Sequence, residues 1–139
     1  MVIVRKRKER RSRGAAAVEA ALVMPILLLV TFGAIKYGWL FLKAQQITNA
    51  ARYGARMASL PDVEDETVEQ SIIDLLDKAN ITVAADEIEI TPVAVSLSER
   101  PAVNVQITIP GARVDILDVP LFPDVGNIVA SVTMANELK

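Results

Sequence analysis

The apolar run over residues 15–35 constrains this chain more than any other feature, because Glu19 is the only charged residue within it. About 20 consecutive, predominantly apolar residues cross the hydrocarbon core of a bilayer as a helix. A carboxylate inside such a segment costs on the order of 2.5–3.5 kcal/mol on insertion scales, so Glu19 indicates a specific partner. Pro25 lies further along the run and favours a helix kink. The run therefore predicts a membrane-spanning helix that carries one functional acid.

Charges are distributed unequally on the two sides of this run. The segment before Ala15 holds seven basic residues and one acid, whereas the rest of the chain holds eight basic and sixteen acidic residues. Basic residues beside a span stay on the cytoplasmic side, so we expect residues 1–14 in the cytoplasm and the acidic part outside it. Basic clusters also bind nucleic acids. The position of this one beside the span, without interleaved aromatic residues, favours membrane topology and no nucleic-acid partner.

The order of residues at the start of the run distinguishes several kinds of targeting segment. An ordinary secretory signal has an apolar core of 7–15 residues followed by a small-residue cleavage site. Here Gly14 and the small residues after it precede a longer core, and Glu19 follows Gly14 by five positions. A basic head, a glycine and an acid at this spacing are typical of a prepilin-type leader. An uncleaved single-pass anchor with an exoplasmic binding domain is the alternative.

Helical periodicity continues beyond the span. Apolar and small residues recur every three or four positions from Tyr37 to Ala58, which predicts one extended helix over residues 15–60. The small residues over 50–58 permit close approach, either of the chain's own domain or of a neighbouring subunit. Four residues that follow the apolar run form a pattern typical of a membrane interface. We expect their aromatic rings to lie in the aromatic belt of that interface and their lysines to snorkel outward. They are Lys36, Tyr37, Trp39 and Lys43.

Residues 61–139 predict a small α+β domain. A second helix is expected over residues 65–79, with acids in its first turn. Alternating apolar residues predict strands near Ile88 and Ile90, over residues 103–109 and over residues 128–135. Beyond Pro92 the alternation changes phase and continues through Val93, Val95 and Leu97. Residues 110–124 are read as an ordered loop on the sheet, so the domain is one helix against a three- or four-stranded antiparallel sheet.

The composition argues against an enzyme. The chain has no cysteine and no histidine, which excludes disulfides and thiolate sites and removes the commonest general base and metal ligand. No nucleophile elbow or glycine-rich phosphate loop is present. The acids over residues 62–69 lack the ligand spacing and glycine turn of a calcium loop, so we interpret them as a solvated helix start. We therefore expect no catalytic residue, metal or cofactor.

The N-terminal third of the chain resembles the TadE-like family, the pilin-like proteins of the tight-adherence (Flp-type) pilus secretion system. The resemblance lies in residues 13–29, in Phe32-Gly33, and in residues 37–41 and 48–56. The downstream part is similar only in general plan, a short helix followed by strands. The resemblance implies a minor pilin or pseudopilin in the bacterial inner membrane, with a cytoplasmic N-terminus and an exoplasmic C-terminal domain.

The resemblance also implies roles for individual residues. A prepilin peptidase would cut between Gly14 and Ala15, and Glu19 would become the acid at mature position five that inserts each subunit beside its neighbour. Implied partners are this peptidase, other pilin-like subunits and the inner-membrane assembly platform. The chain departs from the family pattern at Lys36, where relatives often carry an acid. Ala15 replaces the phenylalanine of type IVa pilins, so no N-methylation is inferred.

Overall fold

The computed structural model describes residues 6–94, 101–116, 123 and 125–135. Its elements, in chain order, are three helices and three strands with a 3-10 turn at Ala85–Glu87 before the first strand. They are α1 (Lys6–Ala58), α2 (Asp65–Asp77), β1 (Ile88–Ala94), β2 (Pro101–Ile109), α3 (Gly111–Val114) and β3 (Ile128–Ala135). The chain divides into two compact units, Met1–Tyr37 and Gly38–Lys139. The predicted α+β layout, with a long N-terminal helix, is confirmed.

The first unit contains the N-terminal half of α1. Large apolar side chains are exposed on every side of this half, and the most apolar window of Gly14–Ala58 contains no buried residue. By length and composition, this helix is able to cross a membrane. Thr31, within the apolar run over residues 15–35, donates its hydroxyl proton to the carbonyl of Leu27 at 2.7 Å. Internal hydrogen bonding of this kind is what a lipid environment requires of polar groups.

The second unit contains a three-stranded antiparallel sheet in the order β1-β2-β3. Val105 in the central strand lies opposite Ile90 on one side and Val132 on the other. The ladder passes through Pro92, opposite Val103, without a bulge. Proline is tolerated there because β1 is an edge strand. The sequence predicted that the alternation of buried and exposed residues changes phase at Pro92, and this is wrong within the described residues, because Val93 lies on the exposed face. Val95 and Leu97 fall outside those residues.

The core of this unit lies between the sheet and two helices. Alternate residues of β2, namely Val105, Ile107 and Ile109, are fully buried, whereas Asn104 faces outward and donates to the hydroxyls of Ser131 and Thr133. The α2 side chains Val68, Ile72 and Leu76 fill the same core. So does one face of α1, which contributes Leu40, Ile47, Ala50, Ala51 and Ala55. The C-terminal half of the long helix is thus a structural element of the domain.

Helix α2 ends close to its predicted boundary. Regular helix stops at Asp77, and the N–H groups of Asn80 and Ile81 donate to the carbonyls of Asp77 and Leu76. Asn80 has a positive φ of 52°. This is the hydrogen-bond pattern of a Schellman motif, in which asparagine commonly replaces glycine at the left-handed position. The predicted end at residue 79 therefore falls inside the capping turn.

The region predicted as an ordered loop begins with α3. Arg113 in this helix pairs with Glu87 at 2.6 Å and also donates to the carbonyl of Thr82. The backbone N–H of Ala84 and the guanidinium of Arg113 together hold the pKa of Glu87 below its usual value. Gly111 approaches the carbonyls of Val125 and Gly126 so closely that a Cβ would not fit. These contacts fix both described ends of the loop; residues 117–122 lie outside the described chain.

Two glycines of α1 provide a test of this packing. A Cβ on Gly54 would lie 2.9 Å from Cγ1 of Ile72, which is fully buried, whereas a Cβ on Gly38 would meet nothing within 4 Å. Gly54→Ala is therefore expected to destabilise the domain by about 1–3 kcal/mol through overpacking. Gly38→Ala is expected to stabilise it by about 0.5–1 kcal/mol through helix propensity. Circular dichroism melts of the full chain in detergent would measure both. Equal effects would contradict the close packing of α1 on α2.

Candidate functional site

The predicted leader junction lies within one continuous helix. Gly14, Ala15 and Glu19 are all exposed positions of α1. Ala15 and Glu19 are four residues apart and so lie on the same side of the helix, one turn from each other. The structure therefore brings the residue that would become a new amino terminus close to the acid. This adjacency follows from the spacing of the two residues and the helical backbone alone.

Gly14 has no structural reason to be glycine. A Cβ at this position would meet nothing within 4 Å, and no described glycine has a positive φ. Glycine in the interior of a helix costs about 0.5–1 kcal/mol relative to alanine. The chain carries this cost where the fold gains nothing from it. Such a position is expected where another protein must approach or locally unwind the backbone.

Glu19 is surrounded by apolar side chains. Val18, Leu22 and Val23 are large, exposed neighbours on the helix surface. Within the described residues, Glu19 has no hydrogen-bond or ion-pair partner. A carboxylate in an apolar environment is unfavourable unless it is paired and hydrogen-bonded. The arrangement can therefore bind a cation that approaches from outside the helix.

Pro25 lies inside α1, and the helix continues through it. Proline has no N–H, so the carbonyl of Ala21 receives no bond from the residue four positions ahead. Membrane helices tolerate such a position when neighbouring groups or local adjustment supply the missing donor. Pro25 thus removes the usual helical donor to the carbonyl of Ala21, and Ala21 lies two positions after Glu19. This gives the segment a second polar group that a neighbouring helix could contact.

Lys43, one of the lysines expected to snorkel outward, is buried and contacts Trp39. Lys43 is only 4% exposed, and its ammonium donates to the carbonyls of Ala79 at 2.6 Å and Asn80 at 3.4 Å. The same ammonium lies 4.9 Å from the centroid of the Trp39 ring. The indole N–H of Trp39 donates to the carbonyl of Val114 at 3.0 Å. The expected snorkelling of Lys43 is therefore wrong, because this lysine caps the C-terminal end of α2.

Lys36 is likewise buried, with 1% of its surface exposed, so it does not snorkel outward. Its burial and that of Lys43 had a signal in the sequence. Both follow the spacing of Leu40, Ile47 and Ala50, which marks the buried face of α1. A lysine at a buried helical position needs hydrogen-bond acceptors, and for Lys43 the end of α2 supplies them. Periodicity would therefore have predicted the burial, but not which helix end was capped.

The small residues of α1 pack on the chain's own domain. Ala50, Ala51 and Ala55 are fully buried, and Gly54 lies against Ile72 and Val105. Of the two predicted uses of this segment, the structure shows the first, close approach of helix and sheet within one chain. The acids over residues 62–69 occupy the start of α2, as expected. Within the described chain, no group of three acidic side chains is placed to hold a metal ion.

A comparison with known protein families finds a match that lies within α1. Residues 14–56 match the model of the family described as TadE-like protein, the family that the sequence resembles. The matched segment contains Gly14, Glu19 and most of α1, and it stops before α2 and the sheet. No curated protein and no solved structure matches the chain. The match covers less than half of the chain, and it shows that this segment is similar to TadE-like proteins.

Replacing Lys43 tests the cap on α2. Lys43→Met keeps the length of the side chain but leaves two carbonyls without their donor, so we expect a loss of about 1–3 kcal/mol in unfolding free energy. Lys78→Met is the matched control, because Lys78 is exposed at the same helix end and should change stability by no more than about 0.5 kcal/mol. Denaturant titrations followed by circular dichroism would compare them. A Lys43→Met chain as stable as the control would rule out a structural role for the ammonium.

Proposed function

We propose that this chain is a minor pilin or pseudopilin of a tight-adherence (Flp-type) pilus assembly system. A prepilin peptidase removes residues 1–14, and the mature protein assembles through its N-terminal helix. The observation that carries this proposal is the exposed, unpartnered Glu19 on an apolar helix surface, one turn after Ala15. The TadE-like match over residues 14–56 supports the same function. The proposed role is structural.

The proposed membrane topology follows from charge. The seven basic residues before Ala15 favour a cytoplasmic N-terminus, and the acidic second unit is then exoplasmic. The protein is a single-pass protein of the bacterial inner membrane until it is assembled. Peptidase, other pilin-like subunits and the inner-membrane assembly platform are its proposed partners. Both the peptidase and the neighbouring subunit would meet α1 on its exposed N-terminal half.

The proposed mechanism pairs charges between subunits. Cleavage after Gly14 creates an α-ammonium on Ala15, and this cation binds the Glu19 carboxylate of a neighbouring subunit. Each of the two charges is costly in hydrocarbon on its own, and pairing offsets that cost. Removing one partner of a buried pair typically costs 3–5 kcal/mol, since the other charge is left uncompensated. An assembled subunit therefore has a strong preference for one register along its neighbour.

The first test concerns processing. In a host with a cognate prepilin peptidase, the mature chain should begin at Ala15, and Gly14→Leu should block the cut. The Gly14 site has open space around it, so the variant helix is not strained. Gly38→Leu is the matched control, because Gly38 is equally open in the same helix and should leave cleavage intact. Intact-mass measurement distinguishes the products. A chain that still begins at Met1, or that is cut at an internal site such as Ala34, would contradict the proposal.

The second test concerns Glu19. Glu19→Leu removes the group that is costly in lipid, so cleavage and insertion should persist while assembly fails. Glu19→Gln keeps the size and loses only the charge, and it should fail in the same way. Glu19→Asp should be intermediate because its carboxylate has a shorter reach. Crosslinked multimers and pilus output measure assembly, and full assembly of Glu19→Leu would contradict the mechanism.

A zero-length carbodiimide crosslink identifies the amine that Glu19 meets. Pairing between subunits joins two chains through an amide between Glu19 and Ala15. Pairing within one chain would instead give a monomer that has lost a water, because Ala15 is one turn from its own Glu19. The proposal expects joined chains. An uncleaved anchor has no α-amine at Ala15 and would give neither product.

A further inference from the structure

Several elements of the second unit meet at one end, which we call the base. It contains the first turns of α1 in this unit, which begins at Gly38. The ammonium of Lys43 donates to the carbonyl of Ala79 at the end of α2, and the indole N–H of Trp39 donates to the carbonyl of Val114 in α3. Helix α3 follows β2 after one residue, and β3 begins opposite the last residue of β2. The base therefore also contains the end of α2, α3 and the start of β3.

The most exposed large apolar side chains of the second unit are concentrated at the base. Among the described residues of that unit, five such side chains are at least 48% exposed, and four of them belong to the base. Phe41 and Leu42 lie in the first turns of α1, Ile116 follows α3, and Val129 is the second residue of β3. The fifth, Tyr53, lies three turns further along α1. Single exposed apolar residues are ordinary, but their concentration in one region marks an interaction site.

The base also carries exposed charges of both signs. Lys78 and Arg113 are exposed cations, and Asp77 and Asp86 are exposed anions. Arg113 is already paired with Glu87, at 2.6 Å. These charges give the base no strong preference for a cationic or an anionic partner. The attraction that it offers to a partner is therefore mainly apolar contact.

The chain itself holds the base close to one apolar partner, the lipid bilayer that residues 15–35 are expected to cross. Gly38 follows Ile35 by three residues, and a chain spans at most about 3.6 Å per residue, so Gly38 lies within about 11 Å of Ile35. The headgroup region on each side of the hydrocarbon core is about 5–8 Å thick. Whatever angle the second unit adopts, the base therefore begins within or just above the headgroups.

We propose that, before the subunit is assembled, the base lies in the membrane interface, with Phe41, Leu42, Ile116 and Val129 in contact with phospholipid. Amphipathic surfaces of this kind enter about 5–10 Å into the boundary between headgroups and acyl chains. The long side chain of Lys78 allows its ammonium to stay at headgroup level. The inference rests on the proposed membrane topology and adds to it a lipid contact made by the second unit itself. This contact sets the orientation of that unit on the bilayer.

Fluorescence quenching by lipid tests this contact, since the natural chain contains no cysteine. Full-length Ile116→Cys, labelled with a fluorophore, is placed in phosphatidylcholine nanodiscs, one chain per disc, with a lipid that carries a nitroxide near its headgroup. The label should be quenched, at a depth of about 5–10 Å. Tyr53→Cys is the matched control, because Tyr53 is almost equally exposed but lies about 22 Å beyond Gly38 along α1. Equal quenching of both labels, or none at Ile116, would overturn the proposal; the latter is expected if a second copy covers the base.

Substitution and lipid composition test the cause of the contact. In the labelled Ile116→Cys chain, Phe41→Ser with Val129→Ser should lower the quenching to the control level, because two apolar contacts are lost. Leu60→Ser with Val93→Ser, exposed apolar residues at the opposite end of the unit, should leave it unchanged. Quenching should also persist when phosphatidylglycerol replaces part of the phosphatidylcholine, and quenching that requires this anionic lipid would contradict an apolar contact. Unchanged melting temperatures would show that the fold persists.

A label in the apolar run separates this inference from the topology on which it rests. Ile26 is an exposed residue of that run, and a label on Ile26→Cys should be quenched by a lipid whose nitroxide lies deep in its acyl chain. If the Ile26 label is quenched and the Ile116 label is not, the contact of the base is wrong and the proposed topology stands. If neither label is quenched, both are wrong. Cleavage after Gly14 and pairing of Glu19 are measured separately and do not depend on the base.

Discussion

The buried ammonium of Lys43 is the contact on which the arrangement of the second unit depends. It reaches from α1 to the C-terminal end of α2, where two carbonyls have no helical donor. A charge in such a position is tolerated only because these oxygens, and the face of the Trp39 ring, replace the water it has lost. Trp39 in turn donates to Val114 in α3. One turn of α1 thereby holds the ends of two other helices.

This connection explains why α1 is built differently along its length. Over residues 15–35 it is apolar all round apart from Glu19 and Thr31, as a helix in lipid must be. Its C-terminal half is amphipathic, with a buried face of small and branched residues and an exposed face of arginines and amides. The small residues let α2 and the sheet approach closely, and Gly54 is the point of closest approach. The apolar part of α1 is therefore suited to lipid, and its amphipathic part is suited to packing on a domain surrounded by water.

Local patterns in the sequence were sufficient to predict most of this fold. Strand β3 occupies the predicted residues, and β2 begins two residues before its predicted start. These strands alternate strictly, so the period alone locates them. The role of Lys43 was predicted wrongly because a lysine and a tryptophan just after an apolar run have the same pattern as a membrane interface. Its true partners lie 36 and 37 positions further along the chain, and only the tertiary structure brings them together. The roles of Gly14 and Glu19 stay predictions, since both depend on proteins outside this chain.

The shared core has a consequence for the time course of folding. The ribosome completes the α1 face around Ile47 long before β2 and β3, which supply Ile107 and Ala130 to the same core. During that interval the apolar stripe has no sheet to cover it, and local contacts cannot replace pairing between distant segments. Proteases and quality-control factors act on chains in that condition. The arrival of the last strand therefore determines how long each new molecule is vulnerable, and slow closure of β3 would lower its abundance without altering the finished structure.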